Sequence, residues 1–419
     1  MNDFDIKGEL AYKSDPESEG YQCTYCILCG NDFRVYDDYQ LSELLLQITI
    51  NSDIIVDYDS KDFSVFKIHE NGNVREFKNE NNAIIFSWVM GLKCLQSSKV
   101  PLSIESFKIL QVIGVGRYGK VKLSQRVDNN AVYAIKSIKK SEIADFKIDY
   151  VLSEKRILAE ISHPFIISIY SAFQNSQKFY FCLEYAPGGE LTQVLSSKSR
   201  ISMEDLKIYI AEIAIALDYL HKHGVIYRDL KPENVLLGAD GHIKLTDFGL
   251  AKEISCGSTS TFCGTEDYLA PEIVSAKPYS YNIDWWCLGI LIYELVFKRT
   301  PFHSDNIQRM YNKILSNKTM IPNCQFELSD LINGLLIKDP NKRYNFEKIK
   351  NHPFLKDLDF DLVLQKEYQP SYIPNFDPFV IYCEEERNEL IESFDENRIT
   401  DFRVDGFSFD VSSRLSTDL

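Results

Sequence analysis

From Tyr21 to Lys78, apolar and polar residues alternate over short stretches punctuated by turn formers. Tyr21–Cys29, Phe33–Tyr36, Leu45–Ile50, Phe63–His69 and Asn73–Lys78 read as strands, with Gly30-Asn31-Asp32 and Asn71-Gly72-Asn73 as turns. Over Asn81–Leu95 the period changes, and Ile84, Trp88 and Leu92 recur at helical spacing. The pattern predicts a small sheet whose open end is plugged by one helix. Gln96–Ser103 breaks the pattern and contains Pro101, so it reads as a linker. Strand-like and helix-like runs resume at Phe107 and continue to Phe354. Residues 355–419 lack periodicity but are rich in Phe and Tyr. Disordered tails are poor in aromatics, so this one is expected to wrap its parent domain.

At 419 residues the chain is long enough for two or three domains, and its net charge of -15 argues against a nucleic-acid partner, which demands clustered Lys and Arg. Ten cysteines are too sparse for a disulfide scaffold. The first residues, MNDFDIKGEL, have neither the basic nor the apolar segment of a secretory leader, which favours a cytoplasmic setting. The longest apolar run, Trp285–Phe297, carries Glu294 and is too short to span a bilayer; a buried helix is expected there. Asn2 and the terminal STDL fit neither myristoylation nor prenylation. Cys23, Cys26 and Cys29 form a CxxCxxC rhythm, but on a strand Cys26 faces away from the other two. Three thiolates cannot then converge on one zinc, and the residues read as packing groups.

The chemistry is concentrated downstream. Ile113–Val121, IGVGRYGKV, places Gly114, Gly116 and Gly119 where a strand–turn–strand could either cover phosphates or simply turn. Val132–Lys136, VYAIK, ends an apolar strand on a lysine that needs an anionic partner, and Glu154 on the next amphipathic stretch is the candidate. Tyr227–Asn234, YRDLKPEN, and Thr246–Gly249, TDFG, add two carboxylates, an amide and a lysine. These segments in this order, with LAPE at Leu269–Glu272, DWWCLG at Asp284–Gly289 and Arg343 in KDPNKR, resemble the eukaryotic protein kinases over Phe107–Phe354.

The resemblance implies a bilobal α+β fold over 107–354 and ATP-dependent phosphoryl transfer with Mg2+. It implies that Asp229 orients and deprotonates the substrate hydroxyl, Lys231 steadies the transferred phosphate, and Asn234 and Asp247 hold magnesium. Lys136, held by Glu154, would contact the nucleotide phosphates. The nucleotide would lie against Ile113, Gly114, Val115, Gly116, Arg117, Tyr118, Gly119, Lys120, Val121 and Ala134, with Glu184 and Ala186 offering backbone groups to adenine beyond Leu183.

Ser258–Glu272, STSTFCGTEDYLAPE, and the YRD form of the catalytic loop resemble the AGC class, and KPEN points to Ser/Thr substrates. Glu190, Glu233 and Glu294 match the acidic positions with which this class reads upstream arginines, so protein substrates with basic motifs are implied. Thr261 matches the activation-loop phosphothreonine, awaiting an upstream activating kinase. Arg228, expected to be an uncompensated cation until phosphate arrives, and Lys252 would receive it. Two departures stand out: Tyr150 replaces the usual His, and Glu266-Asp267 replaces the usual Pro-Glu. Over residues 355–419, Val404–Asp410, VDGFSFD, resembles the AGC hydrophobic motif, with Ser408 phosphorylatable and docking expected beside the Glu154 helix. Val404 stands where a larger Phe is usual, a loss of about 1 kcal/mol of apolar burial.

Over residues 4–98 the strand series and a helical Trp88 resemble a pleckstrin-homology domain, a β-barrel or sandwich with a C-terminal helix. With the kinase this gives the architecture of the Akt (protein kinase B) subfamily, whose front domain recruits it to the plasma membrane through 3-phosphoinositides. Relatives supply that site with a Lys and an Arg-x-Arg pair; here Lys13 answers the first, while Gln22 and Thr24 occupy the arginine positions. Met1–Val100 carries 17 acidic against 9 basic residues, with Lys7, Lys13 and Arg34 the nearby cations. Protein binding or autoinhibition is therefore weighed above lipid binding for this domain. A signalling adaptor is the competing reading of the whole chain.

Overall fold

The computed structural model describes residues 6–14, 20–29, 31–51, 53–58, 64–95, 102–116, 119–143, 148–193, 201–254, 257–316, 318–373, 404 and 407–410. Two compact units result. One comprises the chain up to Ala144, Ile169–Tyr185 and the C-terminal segment; the other comprises Asp145–Ser168 and Ala186–Pro374.

The first unit holds two sheets. Strands β1 (Ile6–Lys13), β2 (Gln22–Cys29), β3 (Asp32–Tyr36), β4 (Leu44–Thr49), β5 (Ile55–Tyr58), β6 (Val65–Glu70) and β7 (Asn73–Lys78) form an antiparallel sheet in the order β4-β3-β2-β1-β7-β6-β5. Alternation decides which side chains point inward: Thr24, Cys26 and Leu28 of β2 are buried, while Cys23 is exposed and Cys29 half-buried. Helix α1 (Asn82–Leu95) caps the sheet, and Trp88 packs edge-on against Phe33, which meets Phe77 in the same way. The plugging helix is as the pattern predicts. The eight-residue β1 and the four-residue β5 are strands the alternation did not mark. Most of the expected linker, 96–101, lies outside the described residues.

The other sheet of this unit has the order β17-β11-β12-β10-β9-β8, built from β8 (Phe107–Gly116), β9 (Gly119–Arg126), β10 (Val132–Lys139), β11 (Ile169–Gln174), β12 (Lys178–Leu183) and a late addition, β17 (Phe409–Asp410). Gly119 is required by close approach: a Cβ there would lie 1.7 Å from the Ser137 carbonyl oxygen on β10.

The second unit is helical. Its elements include α2 (Ile148–Glu160), α3 (Met203–Lys222), α4 (Pro271–Val274) and α5 (Asn282–Phe297). Ser202 caps α3 by accepting from the Asp205 amide, with Glu204 and Asp205 in the first turn and His221 and Lys222 in the last, as the helix dipole favours. The apolar run from Trp285 is indeed a buried helix, α5. Among the described residues no helix is long and apolar enough to cross a membrane. Two short ladders frame the loops that carry the candidate chemistry: β13 (Val225–Ile226) pairs with β16 (Lys252–Glu253), and β14 (Val235–Leu237) with β15 (Ile243–Leu245). The tail does wrap this unit where described: Ser371 bonds Asp205 through its amide (2.6 Å) and hydroxyl (2.5 Å), and Lys366 pairs with Asp240 at 2.7 Å. Phe376, Phe379, Tyr382 and Phe402 lie outside the described residues.

Candidate active site

The β13–β16 and β14–β15 ladders hold Tyr227–Asn234 and Thr246–Ala251 against one another, and the carboxylate of Asp229 is the hub between them. Its Oδ2 accepts from Lys231 Nζ (3.0 Å) and Asn234 Nδ2 (2.8 Å), and its Oδ1 from Thr265 Oγ1 (3.0 Å). Lys231 Nζ also reaches Thr265 Oγ1 at 3.1 Å. Asp229 is therefore buried and fixed in rotamer by three donors. Asn234 spends its amide nitrogen on Asp229, bonding the backbone carbonyl as well at 2.8 Å, so its acceptor is the side-chain carbonyl oxygen. Asp247 takes the left-handed conformation (φ 55°) that turns the chain between β15 and the Phe248–Leu250 turn. Glu154, buried on α2, faces that turn: its Oε2 comes within 3.7 Å of where a Cβ on Gly249 would sit.

Beneath the hub, Asp284 at the start of α5 is wholly buried and accepts from the Tyr227 amide (3.0 Å), the Arg228 amide (2.8 Å) and the His221 ring (2.7 Å). These bonds hold Arg228 at φ 69°, a strained conformation for a residue with a side chain. Arg228 is buried and not bare: Nε donates to the Leu250 carbonyl (2.5 Å) and Nη1 to the Tyr279 hydroxyl (3.3 Å). Tyr279 in turn donates to the Thr261 carbonyl (2.6 Å), so one phenol separates Arg228 from the activation segment. Lys252 Nζ reaches Thr259 Oγ1 at 2.9 Å, and Thr259 lies 3.3 Å from Thr261 Oγ1. These partners are neutral: they give the buried guanidinium hydrogen bonds, as a buried cation requires, without supplying a counter-charge.

On the acidic side, Glu190 and Glu233 are exposed, and Glu294 accepts a short hydrogen bond from Tyr268. Burial pushes the Glu294 carboxyl up, the Tyr268 bond pulls it down, and the charges of Glu233 and Asp267 raise it further.

In the other unit, the Gly-rich hairpin pairs Gly116 with Gly119, Val115 with Lys120 and Gly114 with Val121; Arg117 and Tyr118 lie outside the described residues. Ile113 and Val115 are exposed. On β10, Ala134 pairs with Leu183 and Lys136 with Phe181, while Glu184 follows β12. Ala186 opens the part of the second unit in which Gly188, Gly189 and Leu191 bond Leu237 and Val235.

The described residues of Val404–Asp410 dock on this sheet. β17 extends β11, pairing Phe409 with Ala172 and Asp410 with Ser171. Phe407 is buried, 4.5 Å from Phe179 and 5.8 Å from Phe181 between ring centres, and Ser408 is exposed beside it. Val404 is gripped by its backbone: its amide donates to Gln174 Oε1 (3.1 Å) and its carbonyl accepts from Nε2 (2.6 Å).

Sequence reasoning missed Thr265, Tyr279 and His221 and gave Asp284 no role. It also did not pair Glu272 with Arg343, which form a buried bidentate ion pair at 2.7 and 2.9 Å. Only the LAPE and KDPNKR fragments hinted at these two residues.

Residues 107–355 match the family described as protein kinase domain. The chain is 41% identical over 286 residues to the serine/threonine-protein kinase gad8 of Schizosaccharomyces pombe, covering 67% of this chain and 50% of that one. It is likewise 41% identical over 286 residues to the RAC family serine/threonine-protein kinase homolog of Dictyostelium discoideum, covering 67% and 64%. With the cAMP-dependent protein kinase type 3 of Saccharomyces cerevisiae it shares 39% over 307 residues, covering 70% and 77%. The chain thus spans about half the length of the first of these relatives. Both the matched domain and the relatives assign it plainly: the chain belongs to the protein kinase family, in the AGC class of serine/threonine kinases.

Proposed function

We propose that this chain is an active, magnesium-dependent serine/threonine kinase whose catalytic domain spans 107–354, between a pleckstrin-homology-like domain at 4–98 and an AGC-type tail at 355–419. The observation that carries the reading is the Asp229 carboxylate held by Lys231, Asn234 and Thr265. A carboxylate so fixed orients a substrate hydroxyl and accepts its proton, and Lys231 beside it meets the negative charge of the phosphoryl group. The hard oxygen donors of Asn234 and Asp247 fit magnesium. When bound, magnesium neutralises charge on the nucleotide phosphates. Lys136, the Gly-rich hairpin and the Glu184–Ala186 backbone form the ATP side of the reading.

Glu190, Glu233 and Glu294 suit a peptide with arginines upstream of its Ser or Thr. Phosphate on Thr261 would recruit Lys252 and Arg228 through the Thr259–Tyr279 contacts, and phosphate on Ser408 would strengthen the docked tail; both call for an upstream kinase. For the front domain we favour protein contact over phosphoinositide binding, since Gln22 and Thr24 bear no charge and Thr24 is buried, donating to the Leu10 carbonyl at 2.8 Å. Akt-like membrane recruitment is then secondary to action in the cytosol, where free buried thiols such as Cys26 and Cys287 persist. Labelled-phosphate transfer from ATP to an arginine-rich peptide tests the reading. It predicts transfer by the Thr261-phosphorylated protein and none by Asp229→Ala; equal transfer by both would refute it.

A further inference from the structure

Helix α1 is buried on two sides. Ile85, Trp88, Val89 and Leu92 face the seven-stranded sheet, and the Lys93 side chain is held there too, 3.9 Å from Asp57 and over the Tyr58 ring of β5, but Phe86 and Met90, spaced i, i+4 on a second stripe, are also only 4% and 9% exposed. A helix that merely plugged the sheet would leave that stripe to water.

The β9–β10 turn of the second sheet covers it. Asn129 Nδ2 donates to the Lys93 carbonyl at 2.8 Å while its Oδ1 accepts from the Ala131 amide at 2.9 Å. The Val132 amide donates to Met90 Sδ at 3.3 Å. One continuous core runs from Leu10 and Phe77 through Trp88 and Met90 to Val132, Tyr133, Phe173 and Tyr180.

Each contact meets a backbone obligation. The Lys93 carbonyl lies in the last turn of α1, where helical acceptors lack partners. On its β12 side, the β10 ladder begins only at Ala134, so the Val132 N–H has no strand to bond and takes a sulfur instead. Ala134 and Lys136 follow two and four residues along the same strand.

We propose that α1 is a permanent brace of the second sheet: the front sheet, α1 and the β9–β10 region open and close as one cooperative unit, and Met90 and Asn129 are positioning residues for the strand that carries Lys136. The cooperative claim stands on packing alone; the positioning claim rests on the nucleotide-binding reading of Lys136.

The test is hydrogen–deuterium exchange on the full chain, comparing wild type with Met90→Leu and Asn129→Asp. Met90→Leu keeps volume but deletes the acceptor, leaving a buried N–H unpaired, and is the variant that decides if Asn129→Asp fails to fold. Peptides covering 85–95 and 131–137 should both exchange about tenfold faster, with α3 unchanged. The KM for ATP should rise several-fold with kcat retained. Wild-type exchange at 131–137 in Met90→Leu would overturn the brace, and faster exchange with an unchanged KM would overturn the positioning claim. The exchange readout needs no catalysis. A chain that transfers no phosphate yet loosens at 131–137 keeps the brace and loses the kinase reading.

Discussion

On the proposed reading of Glu294 as an arginine-reading position, one carboxylate ties burial to specificity. Its carboxyl is raised by burial and by Glu233 and Asp267, so it protonates at a higher pH than an exposed glutamate. Attraction for a substrate guanidinium needs the ionised form. The KM for an arginine-containing peptide should therefore climb on acidification before that of a peptide lacking the arginine, and Glu294→Gln should flatten the difference. Arg343 illustrates the structural counterpart. Its pair with Glu272 is desolvated, 0% and 5% exposed at the side chains, and removing one partner strands the other. Arg343→Ala should cost about 3–5 kcal/mol in urea unfolding, far above a surface pair. Asp229, Asn234, Asp247 and Lys231 were legible in the sequence because they fall in two contiguous runs whose spacing is fixed by one loop each. Thr265, Tyr279 and Asp284 were not, because their bonds to Asp229 and Arg228 join positions 36, 51 and 56 residues apart.

At the scale of elements, the two-residue strand β17 adds an edge to β11 and delivers Phe407 onto Phe179 and Phe181. Lys140 lies 4.7 Å above the Phe179 ring and bonds Gln174 at 2.9 Å, so the same cluster holds Val404 and supports the aromatic seat. Phe407→Ala should release the tail, lower Tm by several degrees and expose Phe179, as checked by protease cleavage near the C-terminus. Gln174→Ala should weaken docking less, because the aromatic seat remains. The front-sheet strands with clear alternation, β2, β3 and β7, were readable to within a residue or two. β1 and β5 were not: β1 buries only Leu10 completely, and the four residues of β5 carry too little period. The docking edge of β17 was invisible as well, since strand addition is decided by the partner's free edge and not by local alternation.

For the molecule as a whole, the charge distribution bears on both ends of the chain. The front domain's acidic excess and its uncharged Gln22 and Thr24 predict that the full chain will not float with 3-phosphoinositide vesicles at physiological salt beyond its level with neutral vesicles. Headgroup-selective flotation would instead restore the lipid reading. The shared core of α1 and the second sheet gives the front domain a structural task whatever its ligand. The central claim remains that the Asp229 hub transfers phosphate to an arginine-directed Ser or Thr. Its most direct measurement is kcat/KM of the Thr261-phosphorylated full chain on a serine peptide with upstream arginines, beside the Asp229→Asn variant. Loss of a general base and orienting carboxylate predicts a drop of roughly 10²–10⁴-fold with folding intact. An Asp229→Asn variant that matches wild type on that peptide would contradict the account.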